Sequence, residues 1–237
     1  MKIRLLEQNG RKSDMGQEKL AAKVFDSIVG VYDRFLNFAT FNRIGKWQRE
    51  LVENTPEGKV FVDVGTGTGE IVRKINEIYP KVVAVGIDVS FKMLMTAKEK
   101  IDGRNIFIQA SAYNMPLKKS SVDAVFLSLV FRHLSSKDSV TEFSRILKEN
   151  GCISILDISK PSKYIHRSAL FFADKIFRAV GEKIFTKEEY DYFVESIRNS
   201  KSEEELEKFM KEFSFEKIYS SRKFAGMIII AVFQKAK

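Results

Sequence analysis

The sequence predicts an α/β domain built on a mostly parallel seven-stranded sheet, with N-terminal helices, a helical insertion and an antiparallel end. Three observations carry that expectation. Apolar runs of strand length alternate with amphipathic helical segments from residue 59 to 158, the rhythm of a parallel sheet covered by helices on both faces. A glycine-rich turn follows the first of those runs. The last two apolar runs, around Glu216–Ser221 and Met227–Phe233, are joined through Arg222–Gly226 closely enough to form a hairpin.

The elements follow in order. Ala21, Val24, Phe25, Ile28 and Val29 recur at helical spacing, and a second helix contains Trp47 and Leu51. Residues 18–52 therefore read as a helical cap. Pro56 and Gly58 break the chain before a buried strand, Lys59–Val64. Val82–Asp88 is the second strand, followed by a helix that Ser90 opens as N-cap. Asn105–Gln109 and Val122–Ser128 are the third and fourth strands. Val140, Phe143, Ile146 and Leu147 mark the next helix, with Lys148-Glu149-Asn150-Gly151 as its stop signal and Cys152–Ile158 as the fifth strand. After Pro161 the rhythm changes. Ala169, Phe172, Ala173, Ile176, Phe177 and Val180 mark an aromatic-rich helix inside an insertion over residues 162–200. Ser202 and Glu205 then form a capping box ahead of Leu206, Phe209, Met210 and Phe213. No repeat or low-complexity linker divides the chain, so residues 1–237 read as a single domain.

Composition narrows the function classes. The 237 residues, 44% hydrophobic and 30% charged, suit one well-buried core. The first residues lack the apolar stretch of a secretory signal. The longest apolar run, Met227–Phe233, is far short of the roughly 20 residues that a spanning helix takes. The lone Cys152 excludes an internal disulfide and reads as inert packing in a reducing cytoplasm. Two histidines, His133 and His166, with one cysteine make no conventional zinc cluster, so no metal is expected. The net charge of +9 is spread along the chain and reads as a solvated surface, with attraction to a membrane as a secondary effect and no specific nucleic acid. Cytoplasmic placement with peripheral membrane contact, and a homodimer, are compatible with this composition.

The sharpest local signal is Val60-Phe61-Val62-Asp63-Val64-Gly65-Thr66-Gly67-Thr68-Gly69-Glu70. A buried strand runs into a glycine turn and then into a helix carrying Ile71, Val72, Ile75 and Ile78. Glycines there let a ligand approach the main chain. A dinucleotide loop needs a sixth-position glycine where this chain has Glu70, and the Lys-Ser/Thr ending of a P-loop is absent. Asp63 and Glu70 flank the turn with negative charge, which fits a cationic ligand better than a phosphate. Asp88 ends the second strand, where a carboxylate can accept both hydroxyls of a ribose. S-adenosylmethionine, with its ammonium, sulfonium and ribose, matches that set; a tight turn without a ligand is the alternative.

Four further segments carry a resemblance. Val24-Phe25-Asp26-Ser27-Ile28 with Tyr32-Asp33, Ser128-Leu129-Val130-Phe131-Arg132-His133-Leu134, Ile155-Leu156-Asp157-Ile158-Ser159-Lys160-Pro161 and Tyr192-Phe193-Val194-Glu195-Ser196-Ile197 resemble segments of the ubiquinone/menaquinone biosynthesis C-methyltransferase family. That family belongs to the Rossmann-like class I methyltransferases. The resemblance implies methyl transfer from S-adenosylmethionine to a ring carbon of a lipid-like, prenylated quinol. It also implies that Thr68, Asp88, Ser111, Ala112 and Ser128 touch the cofactor, that Gly65, Gly67 and Gly69 supply the turn around its amino-acid end, and that Tyr32 and Tyr192 lie near the substrate. The chain departs from the family's pattern at His133, where asparagine is usual, at Asn42–Gly45 before Trp47, and at Ser111.

Carbon methylation of a phenol needs electron density pushed into the ring, which removal of the hydroxyl proton supplies. Arg132 is expected to stabilise the phenolate while His133, directly or through a water, takes the proton. The rival reading of His133 is a helix-entry residue beside a turn. The aromatic helix over 168–180 is either a lid over an isoprenoid tail or ordinary core. A methyltransferase for another small molecule or for RNA, and a non-catalytic cofactor-binding subunit, are the competing functions.

Overall fold

The V-F-V-D-V run at Val60–Val64 has no polar face apart from Asp63, as expected for a strand covered on both sides. In the computed structural model it forms β1, an inner strand of a seven-stranded sheet. The structure describes residues 2–101, 103, 105–134, 137–160, 186–198 and 200–236. The other strands are β2 (Val83–Asp88), β3 (Ile106–Gln109), β4 (Val122–Ser128), β5 (Leu147–Ile158), β6 (Phe215–Lys223) and β7 (Ile228–Lys235). Their order is β3-β2-β1-β4-β5-β7-β6. Strands β1 to β5 pair in parallel, with Val62 beside Val85 and Val125, Asp88 beside Gln109 and Ser128 beside Leu156. β7 runs antiparallel to both β5 and β6. The connection changes direction between β1 and β4, and that switch point opens the crevice in which open α/β sheets bind ligands.

Helices cover both faces. α1 (Lys2–Ala39) and α2 (Ile44–Glu53) precede the sheet; α3 (Glu70–Ile78), α4 (Phe91–Lys100) and α5 (Lys137–Ile146) follow β1, β2 and β4. α6 (Lys187–Arg198) and α7 (Glu203–Lys211) precede the hairpin. One side of the sheet buries Val62, Val125, Phe143, Ile153, Leu206 and Phe215; the other buries Trp47, Leu51, Phe61, Ile75 and Phe126. The caps form as the sequence predicts. The Ser90 hydroxyl accepts the Met93 N–H at 3.1 Å. At α7 the Ser202 hydroxyl accepts the Glu205 N–H at 3.2 Å while Glu205 accepts the Ser202 N–H at 2.9 Å.

Two boundaries differ from the sequence reading. α1 begins near residue 2 rather than 18. Its first half lacks an apolar stripe, so periodicity is silent there, yet it is rich in straight-chain residues that favour a helix. At the other boundary, α5 stops at Ile146 and Leu147 already belongs to β5. Val122 pairs with Leu147 and Ala124 with Cys152, so Lys148–Gly151 is a bulge inside a strand and not a helix stop. Asn150 takes a φ of 60° within it. The aromatic helix expected over 168–180 lies outside the described residues.

Candidate active site

The glycine loop is held by its own geometry. Gly65 has a φ of +67°, and a Cβ there would meet a Val130 methyl at 2.5 Å. Gly67 has a φ of +53°, and a Cβ there would enter open space. That space is the cradle a ligand would occupy. The Gly67 N–H donates to one Asp88 oxygen at 2.8 Å, and the Ser90 N–H donates to the other at 2.8 Å. The Thr66 N–H donates to the Ile87 carbonyl at 3.0 Å and so ties the loop to β2. Burial pushes the Asp88 carboxyl up to about 6 even though those N–H groups favour its charge.

Beside the loop opens a cleft continuous with solvent. Of the residues the sequence nominates, Tyr32, Gly65, Gly67, Asp88, Ala112 and His133 line it. The others stand behind the wall. The Thr68 hydroxyl donates to Asp33 at 2.8 Å, and Asp33 also pairs with Lys100. Gly69, at a φ of 86°, is the N-cap of α3. The Ser111 hydroxyl accepts the Tyr113 N–H at 3.1 Å, and the Ser128 hydroxyl accepts from the Gln48 amide at 3.3 Å. Glu70 turns to Arg73 at 2.8 Å and away from the cleft, so the expected acidic flank on that side is an ion pair within α3. The side chain of Tyr192 lies outside what the structure describes.

Sequence reasoning missed part of the lining. Phe25, read as one residue of a helical stripe, faces the cleft together with Met93 and Leu134. Glu18 carries no local signal at all, yet its carboxylate accepts the Ala112 N–H at 3.1 Å and lines the cleft. Both come from α1, which lies over the mouth. Its Asp26 accepts from the Ser90 hydroxyl, giving α1 a second tether close to Asp88.

Asp63 tests whether a cationic cofactor fits. The residue is 1% exposed, and neither of its oxygens, nor the Thr66 hydroxyl, completes a hydrogen bond in this geometry. Burial pushes its carboxyl up to about 7; the neighbouring Thr66 pulls the other way, and the Asp88 charge adds to the rise. A buried acid at the root of the loop, short of donors, is where an ammonium group is electrostatically complementary. The residues present fit the cofactor.

The short helix Phe131–His133 follows β4 at its carboxyl end. Arg132 is locked. Its guanidinium donates to Asp157 and to the Leu129 carbonyl, both at 2.7 Å, and to the Ser196 hydroxyl at 3.2 Å. The Arg132 N–H donates to the second Asp157 oxygen at 2.8 Å. Arg132 and Asp157 are 6% and 4% exposed, and Arg132 is absent from the cleft wall. The expectation that its guanidinium meets the acceptor directly therefore gives way to a positioning geometry. His133 does face the cleft, with the Phe25 ring edge-on at 6.3 Å. Desolvation, reinforced by the Arg132 charge, holds its pKa well below the usual histidine value, so the imidazole is neutral. Tyr32, edge-on to Phe25 at 5.8 Å, is pushed by burial up to about 12 and stays a phenol.

A family model, described as the ubiE/COQ5 methyltransferase family, matches residues 12–235. The chain belongs to that family. The methyltransferase is 31% identical over 221 residues to a demethylmenaquinone methyltransferase from Chlamydia caviae, covering 90% of this chain and 95% of the relative. It is 26% identical to a ubiquinone/menaquinone biosynthesis C-methyltransferase from Pasteurella multocida, covering 90% of this chain and 84% of that one. Among solved structures, an S-adenosylmethionine-dependent methyltransferase from Aquifex aeolicus superposes with a TM-score of 0.57 at 19% identity, over 81% of this chain and 91% of that one. That is a likeness of fold. S-adenosylmethionine is the cofactor of the methyltransferase.

Proposed function

We propose that this methyltransferase transfers a methyl group to a ring carbon of a prenylated quinol or related benzenoid in quinone biosynthesis. The observation that carries the reading is the match along 90% of the chain to a protein named demethylmenaquinone methyltransferase. The cleft supports it chemically: its wall is mostly apolar, and a neutral imidazole is its most evident proton acceptor.

Bound at the glycine loop, the cofactor supplies an electrophilic sulfonium methyl. Asp88 accepts the ribose hydroxyls, Asp63 balances the ammonium, and the bare backbone of Gly67 lets the amino-acid end come close. Thr68, Ser111 and Ser128 act behind the wall, by holding Asp33, the 111–113 turn and α2 in place. His133 takes the acceptor's hydroxyl proton, directly or through a water. The ring carbon ortho to the resulting phenolate would take the methyl as the methyl–sulfur bond breaks and S-adenosylhomocysteine leaves, and its own proton would pass to solvent as aromaticity returns. Arg132 acts one step back. Its pairing with Asp157 and Ser196 fixes the 131–133 turn, and burial, with the Arg132 charge adding to it, keeps the neighbouring imidazole neutral. Tyr32 presents a neutral hydroxyl to the acceptor. Residues 18–52 form the cap of this one domain.

Turnover across an acceptor panel tests the reading. Release of S-adenosylhomocysteine is followed with demethylated prenyl-quinols, with unprenylated catechols and with RNA. Turnover confined to the prenylated quinols is the expected result. Turnover on RNA or on an unrelated small molecule would reassign the acceptor. Cofactor binding with no turnover on the whole panel would point to a non-catalytic subunit.

A further inference from the structure

We propose that the turn after α1 and the tip of the β6–β7 hairpin together form a docking surface for an anionic lipid bilayer. Three phenylalanines stand in solvent there. Phe38 is 67% exposed, Phe41 71% and Phe224 39%. Phe41 and Phe224 come from turns far apart in the chain, yet their rings stack at 5.8 Å, and Trp47 meets Phe224 edge-on at 6.3 Å. Hydrophobic burial does not explain an arrangement that leaves the rings so exposed.

The backbone beneath them is strained. Phe41 and Asn42 have φ angles of 51° and 58°, and Phe224 and Ala225 both have 54°. Left-handed backbone is costly for bulky side chains, and it persists in folded proteins mostly where function needs it. Here two such turns hold aromatic rings outward.

Charge selects the partner. Arg43 and Lys46 are exposed beside Phe41, and among the described residues neither takes part in an ion pair. Residues 37–49 and 217–237 contain no aspartate or glutamate. The nearby carboxylates are already paired, Glu50 with Lys223 at 2.9 Å and Glu204 with Arg222 at 2.9 Å, so exposed aromatics beside the unpaired cations of Arg43 and Lys46 fit the headgroup region of an anionic membrane.

Placement ties the patch to the cleft. Ile228 pairs with both Ile158 and Lys223, so the hairpin tip projects past the carboxyl end of β5, the sheet edge on which Asp88 and His133 stand. On α1, Phe38 follows the cleft residue Tyr32 by six positions, about 9 Å along a helix. A prenylated acceptor of the kind proposed above would pass from bilayer to cleft along this rim. The reason for docking rests on that reading; the docking itself is tested without any acceptor.

The full chain is floated with vesicles of phosphatidylcholine alone and of phosphatidylcholine with phosphatidylglycerol. Phe41→Asn/Phe224→Asn and Arg43→Glu/Lys46→Glu are run beside it, with far-ultraviolet circular dichroism and cofactor binding as checks on folding; asparagine tolerates the left-handed backbone. Strong flotation of the wild type on the anionic vesicles is expected, with at least a tenfold loss for the aromatic variant. The charge variant is expected to lose the preference for phosphatidylglycerol, and cofactor affinity to stay unchanged in both. Wild type that stays unbound, or variants that float like wild type, would overturn the proposal. A dimer of the wild type that the aromatic variant splits, with vesicle binding unaltered, would give the patch to a second copy and overturn it as well. Flotation that holds while every quinol fails as acceptor would leave the docking surface standing and remove only the assigned substrate.

Discussion

Asp63 and Arg132 are buried ionisable groups handled in opposite ways. Arg132 is compensated by Asp157 at 2.7 Å. Replacing it with alanine strands that carboxylate and is expected to cost about 3–5 kcal/mol in denaturant unfolding. Arg132→Ala/Asp157→Ala should recover much of the loss, because no lone charge remains. Asp63 is uncompensated, and its folded-state pKa of about 7 lies above its unfolded value. The native state therefore holds a proton that the unfolded chain releases near pH 4. Stability from this group is full below that pH and lost as pH rises through 7, on the order of a few kcal/mol. Asp63→Asn is expected to flatten the decline in cofactor-free unfolding curves between pH 4 and 7. Bound cation should reverse the slope: cofactor affinity measured by calorimetry is expected to rise several-fold from pH 6 to 8 in the wild type and to stay level in Asp63→Asn. At this scale Asp88 was readable from its spacing to the glycine turn, since a strand end beside that turn has few other uses. Glu18, and the Asp157 and Ser196 partners of Arg132, were not readable as contacts, because only the folded sheet brings together groups that far apart in sequence.

The glycine loop and α1 act as elements. Gly65→Ala would force a left-handed φ on a side chain whose Cβ also meets Val130 at 2.5 Å. A stability loss of about 1–3 kcal/mol and at least a tenfold weaker cofactor affinity are expected, read by thermal unfolding and calorimetry. α1 is tethered over the cleft through Glu18, Asp26 and Asp33. If it acts as the strap over bound cofactor, Asp33→Ala should raise the cofactor dissociation rate several-fold in stopped-flow and leave turnover at saturating donor nearly unchanged. Hydrogen exchange over residues 18–33 should slow on cofactor binding in the wild type. The caps of α4 and α7 were legible because a side chain meets a backbone only three residues away. Lys148–Gly151 was misread because a Lys-Glu-Asn-Gly run suits both a helix stop and a strand bulge, and the pairing with β4 decides between them.

For the whole molecule, strand alternation and the terminal hairpin foretold a seven-stranded sheet with an antiparallel end, and the order β3-β2-β1-β4-β5-β7-β6 places the glycine loop at its switch point. Among the described residues no helix is long and apolar enough to cross a membrane. The chemistry at that switch point comes down to one bond. The most direct measurement uses cofactor carrying a carbon-13 methyl and a demethylated prenyl-quinol, with the product's methyl read by nuclear magnetic resonance in wild type and His133→Ala. The account expects an aryl carbon–methyl resonance from the wild type and a much slower appearance of the same product from the folded variant. A methoxy resonance, or a carbon-methylated product formed at full rate without His133, would contradict it.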